Sequence, residues 1–133
     1  MHDIANNVKI QRAQGYGAVT ATGQGVTVDA AGFGSVAFGI LVGTVTAADS
    51  SNYFTFKVQE GDASDGSDMA DIPTERLIGS AAINAVGQAN SALKIGAVLF
   101  KRYVRLAWTE TGTANADFGA VAVLGSPNHA PAA

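Results

Sequence analysis

The stretch Phe100–Pro127, FKRYVRLAWTETGTANADFGAVAVLGSP, constrains the fold of this chain more than any other. Two apolar runs, Tyr103–Thr109 and Phe118–Leu124, flank a short polar segment, Glu110–Asp117, that contains Gly112 and Asn115. In the first run Val104, Leu106 and Trp108 share one parity, while Tyr103, Arg105, Ala107 and Thr109 share the other. A period of two sends alternate side chains to opposite faces, so the run reads as a strand with one face buried. Trp108 therefore belongs to the core with Val104 and Leu106. Tyr103 and Arg105 point the other way and are interface candidates, since Tyr and Arg are enriched at binding hot spots. The second run is almost wholly apolar and too short for a stable isolated helix, which makes it an interior strand. Together the two runs predict a hairpin with a longer loop.

The rest of the chain repeats this strand-and-turn rhythm. Ala18–Thr22 and Val26–Asp29 read as strands around Gly23-Gln24-Gly25, a tight turn because Gly accepts positive φ. Ala30–Gly34 is a further turn. Ser35–Thr46 is a long strand whose glycines mark a bulge or a close backbone approach. Ala47–Asn52 turns the chain into Tyr53–Gln59, where Phe54, Phe56 and Val58 alternate with Tyr53, Thr55, Lys57 and Gln59 and form the core side. Glu60–Asp71 is the longest and most acidic loop. Ile72–Gly79 predicts one turn of helix, capped by Thr74 and ended by Gly79, although Pro73 favours an extended Ile72. Ser80–Ala85 is a weak strand, Val86–Ser91 a turn, and Ala92–Leu99 a further strand. About eight short strands with one minor helical turn predict an all-β fold, a β-sandwich of jelly-roll type. The expected organisation is an N-terminal arm over residues 1–14, one sandwich domain over 15–125 and a tail over 126–133. In the arm Ile4, Val8 and Ile10 are the apolar residues available for ordering against a neighbouring subunit or surface.

Composition narrows the function classes. At 133 residues, 47% hydrophobic and 14% charged, the chain is long and apolar enough to fold around one core without a metal or disulfide. Its apolar fraction leans on Ala, Val and Gly, which suits closely approaching sheets, and the modest polar share hints at association. Eight Lys and Arg against eleven Asp and Glu give a net charge of −3. No basic stripe accompanies it, so nucleic acid is not an expected partner. There is no cysteine, which excludes disulfides and thiolate metal sites. No secretory signal is expected, and no run approaches the roughly 20 apolar residues of a membrane-spanning helix.

Candidate chemistry is thin. Asp62, Asp65, Asp68 and Asp71 recur every three residues and suggest oxygen ligands for Ca²⁺, but the spacing departs from the EF-hand pattern, and a solvated turn-rich loop is the expectation. Gly15-Tyr16-Gly17 and Gly32-Phe33-Gly34 lack the flanking strand and helix of a phosphate loop. His2 and His129 stand near opposite ends without metal-ligand spacing. Asp117 and Glu110 flank a loop rather than a cleft. No enzyme activity, cofactor or metal is expected.

Four segments in order, Phe54–Asp62 (FTFKVQEGD), Asp71–Gly79 (DIPTERLIG), Lys101–Arg105 (KRYVR) and Ala120–Pro127 (AVAVLGSP) with the following His-Ala-Pro, resemble the capsid decoration, or cement, proteins of tailed bacteriophages. The resemblance spans roughly Val36 to Pro131, and each segment is a strand plus a turn. It implies a β-sandwich on the outer surface of the virion head, made in the bacterial host cytoplasm, which binds the major capsid protein shell and bridges neighbouring subunits. It also implies self-association as a dimer or trimer, and it adds Pro127 and His129 of the tail to the interface candidates. On this reading, removal of Met1–Gln14 should weaken shell binding more than folding. The alternative is a tail- or fibre-associated module that binds a receptor glycan through exposed aromatics.

Overall fold

Among the described residues six long strands carry the fold, and each buries chiefly one parity of its side chains. They are β1 (Lys9–Val19), β4 (Phe33–Ala47), β5 (Tyr53–Gly61), β9 (Ser91–Val98), β10 (Tyr103–Thr111) and β11 (Asn115–Pro127). Five two-residue strands fill the edges: β2 (Gly23–Gln24), β3 (Val28–Asp29), β6 (Ala70–Asp71), β7 (Leu77–Ile78) and β8 (Ala82–Ile83). The computed structural model describes residues 4–127, with backbone alone at Ser126 and Pro127. The chain is an all-β sandwich. One antiparallel sheet runs β1-β11-β4-β9-β7, and the other has β10 and β5 at its centre, with β2 and β3 on the outer side of β10 and β6 and β8 on that of β5.

Successive long strands from β4 onward alternate between the sheets, as jelly-roll connections do. This corrects the expected hairpin. β10 pairs with β5, β2 and β3, whereas β11 pairs with β1 and β4. The link at Gly112, whose φ is +71°, carries the chain across the core, a left-handed backbone that glycine adopts without strain. Trp108 and Phe118 consequently face one another, with ring centroids 5.1 Å apart and planes at 89°. Phe56 and Phe54 complete an edge-to-face cluster around Phe118, at 5.1 and 5.8 Å. Trp108 is in the core, as are Phe54, Phe56 and Val58. Among the described residues two short 3-10 turns, Thr74–Arg76 and Val86–Gln88, replace the one expected. The first has Pro73 at its N-cap with no side-chain cap, so Thr74 does not cap it, and its end is Leu77, which goes on to pair with β9.

Two further readings change near the N-terminus. Gly23-Gln24 is no tight turn: it lies against Trp108 and Ala107 on the edge of β10. Gly25 donates to the Leu106 carbonyl at 2.8 Å, and a Cβ on it would collide with the Ala13 carbonyl, so this segment threads closely between the two sheets. The residues assigned to an arm are also partly strand. Lys9–Arg12 pair in register with Leu124–Val121, and Ala13 is fully buried. The sequence does not announce this strand, because polar Lys9 and Gln11 share the inward parity of Ala13 while apolar Ile10 faces outward, and two register shifts in β1, between Arg12 and Gln14 and between Gln14 and Gly17, break its alternation. Removing residues 1–14 should therefore cost folding itself, since it strips β11 of its outer partner over Ala120–Leu124. A thermal melt of the 15–133 fragment checks this, with a large fall in melting temperature as the expected result.

Candidate docking face

The two sheets turn very different outer faces to their surroundings. On the sheet centred on β10 and β5 the outward residues of those two strands form a closed polar network. Arg105 Nε donates to Gln59 Oε1 at 2.7 Å, Gln59 Nε2 donates to Asp71 Oδ1 at 2.8 Å, and Lys57 Nζ lies 3.3 Å from Asp71. Tyr103, on the same face, lies under the Arg102 guanidinium at 5.1 Å, and Arg102 in turn grips Asp29 through two hydrogen bonds. That pairing, chiefly the hydrogen bond from Arg102, holds the Asp29 carboxyl below its ordinary range. Tyr103 and Arg105 thus sit in a satisfied polar surface.

The β1-β11-β4-β9-β7 sheet is the reverse. Its outward positions form four cross-strand rows. The first is Gly125, Ser35 and Val98. Next comes Ile10, Val123, Ala37, Gly96 and Ile78. Then follow Arg12, Val121, Gly39 and Lys94, and finally Gly119, Leu41 and Ala92. Tyr16, thrown outward by the second irregularity of β1, lies over Gly119 with its hydroxyl against Gly43. Ile10 and Tyr16 are each 65% exposed, Ile78 60% and Leu41 59%. Val98 and Val121 are exposed beside them. An antiparallel sheet facing water ordinarily shows polar residues there, and this outer face departs from that pattern. With strands about 4.8 Å apart, the four rows span roughly 500 Å².

Glycines give this face its relief. Gly96 and Gly125 floor one depression of about 270 Å³ bordered by Ile78, Lys94 and Val123. Gly119 floors a second, of about 240 Å³, between Arg12, Tyr16, Leu41 and Val121. Protruding aliphatic side chains beside side-chain-free floors suit interdigitation with a second surface, much as stacked sheets interlock.

Of the candidates named from sequence, Ile10 stands on this face and Tyr103 and Arg105 on the opposite one. Ile4 is exposed in the turn that precedes β1, and Val8 is half-buried where β1 begins. Pro127 pairs with Phe33 at the end of β11, its side chain undescribed, and His129 lies outside the described residues. The structure brings none of these together with Ile10 into one cluster. Tyr16, Leu41, Ile78, Val98 and Val121 were missed. A signal exists: Phe118–Leu124 is apolar at both parities, whereas a two-layer sandwich covers only one of them, so Val121 and Val123 had to fall on an outer face.

The acidic loop forms no joint site. Asp68 accepts from the Asp62 and Ala63 amides at 2.9 and 3.0 Å, Asp65 accepts from the Ser67 amide at 2.9 Å, and Asp62 pairs with Lys101. Backbone donors hold Asp68 and Asp65 below the usual carboxylate range. Among the described residues no three acidic or histidine side chains converge to hold a metal, and no helix is long and apolar enough to cross a membrane. No protein-family model and no curated protein matches the chain.

Proposed function

We propose that this chain is a capsid decoration protein of a tailed bacteriophage, one that lies on the outer surface of the head, binds the major capsid protein shell and bridges neighbouring subunits. The observation that carries the reading is the two-faced sandwich: an apolar sheet face of about 500 Å² backed by a polar one. A domain of that kind lies on a wall with its polar side to solvent. An area this small binds weakly alone, but identical sites repeat over a symmetric shell, and linked contacts raise occupancy through effective concentration. Contact between copies, as a dimer or trimer on a local symmetry axis, belongs to the same reading. Because the protein binds the assembled lattice rather than the free subunits, it stabilises the lattice by mass action.

The test is binding to purified heads stripped of the protein. Leu41→Asp with Val121→Asp puts two carboxylates into the apolar face at exposed positions, so folding should persist while head occupancy falls by about tenfold or more. Cosedimentation reads the occupancy, and circular dichroism checks the fold. Unchanged occupancy would remove this face from the account. Absence of wild-type binding, or of the protein from the outer layer of the particle in virion imaging, would overturn the function.

A further inference from the structure

Eight Lys and Arg residues are present, and all lie in the described part of the chain. Lys57, Arg76, Lys101 and Arg102 each meet a carboxylate, Arg105 meets Gln59, and Lys9 acts on Asp29 from a distance. Arg12 and Lys94 remain. Both are exposed, and among the described residues neither makes a hydrogen bond or ion pair. They stand in one row of the apolar face, at its two rims, with Val121 and Gly39 between them. Three strand spacings separate them, about 14 Å. No acid falls within the four rows.

We infer that this face docks an apolar protein wall presenting two carboxylates, one toward each rim and about 14 Å apart, and that Arg12 and Lys94 fix the register of docking. The inference deepens the coat reading and rests on it for the identity of that wall, the outside of the capsid shell. A charge at the rim of an apolar contact adds less to raw affinity than to encounter rate and to the choice of orientation. Two cations in one row define a direction on the sheet, which an apolar patch alone does not.

A second copy is the competing occupant, and the row argues against it. Turning another copy over onto this face about an axis along the strands lays its Arg12 above Lys94, cation on cation. The roughly 500 Å² of the face is also short of the about 800 Å² per partner of a standard stable interface.

Stripped heads, the wild-type chain, Arg12→Glu/Lys94→Glu and the charge-keeping Arg12→Lys/Lys94→Arg decide the matter. Charge reversal should weaken head binding by roughly tenfold or more and change its salt dependence, while the charge-keeping variant stays within about twofold. Both positions are exposed, so the melting temperature should not move. Wild-type binding that survives charge reversal would overturn this inference and leave the coat reading standing. Heads that do not bind the wild type at all would overturn both. If sedimentation equilibrium shows a wild-type dimer that Leu41→Asp dissolves, the occupant is a second copy and the inference fails.

Discussion

Phe118→Ala should lower stability by about 3–5 kcal/mol, a large part of the about 5–15 kcal/mol that holds a domain of this size together. Phe118 is fully buried and meets three other rings edge-on: Phe54 and Phe56 from β5 and Trp108 from β10. Its removal leaves a cavity between the sheets that those rings can fill only by tilting away from their own partners. Urea denaturation measures the loss. Val121→Ala, three residues along the same strand but on the outer face, should cost less than about 1 kcal/mol. A double-mutant cycle between Trp108 and Phe118 should show coupling of about 0.5–1.5 kcal/mol, the range for an aromatic pair beyond its area burial.

The crossing at Gly112 marks where the sequence stops being legible. Parity alone identifies which face of β10 is buried, and it places Trp108, Phe54, Phe56 and Val58 correctly. Parity is a local property of one strand and is silent on which strand lies beside it. Tyr103–Thr109 and Phe118–Leu124 look like two arms of a hairpin because both are apolar and close in sequence. They are instead opposite walls of the core, joined by a link that begins at Gly112. The short strands fail for the complementary reason. Gly23-Gln24 and Leu77–Ile78 have no pattern of their own and are strands only because β10 and β9 offer them backbone partners. The proposed docking face is half legible. An apolar run at both parities signals cover on both sides, but the rows that join Ile10 to Ile78 and Arg12 to Lys94 exist only once the register of four strands is known.

Glu60→Gln should destabilise the fold by about 3 kcal/mol at neutral pH, because removing one member of a buried ion pair strands the other. Glu60 is the one buried charged residue among those described, on the inward parity of β5 beyond Val58. Its Oε2 accepts from Arg76 Nη2 at 2.6 Å, and its Oε1 accepts from the amides of Phe100 and Lys101 at 3.0 and 3.2 Å. Arg76 also donates to the Val98 carbonyl at 3.1 Å and lies under the Phe100 ring at 3.9 Å. One carboxylate therefore ties β5 to the 3-10 turn at Thr74–Arg76 and to the connection between β9 and β10. Burial pushes its pKa up, but Arg76 and the two amides more than offset this, and the carboxyl titrates below its ordinary value. The sign follows. A depressed folded pKa contributes stability that is fully present above the unfolded value, near 4.5, and is lost as pH falls through the folded one. The stability gap between wild type and Glu60→Gln should accordingly be widest at neutral pH and close on acidification below the ordinary carboxylate range. A gap independent of pH would mean that Glu60 acts by shape rather than charge. Pairing Glu60→Leu with Arg76→Met should recover much of the loss, because an apolar replacement of both partners leaves no buried charge unpaired. Recovery of stability with unchanged head binding would then separate this clasp, a device of the fold, from the proposed docking face.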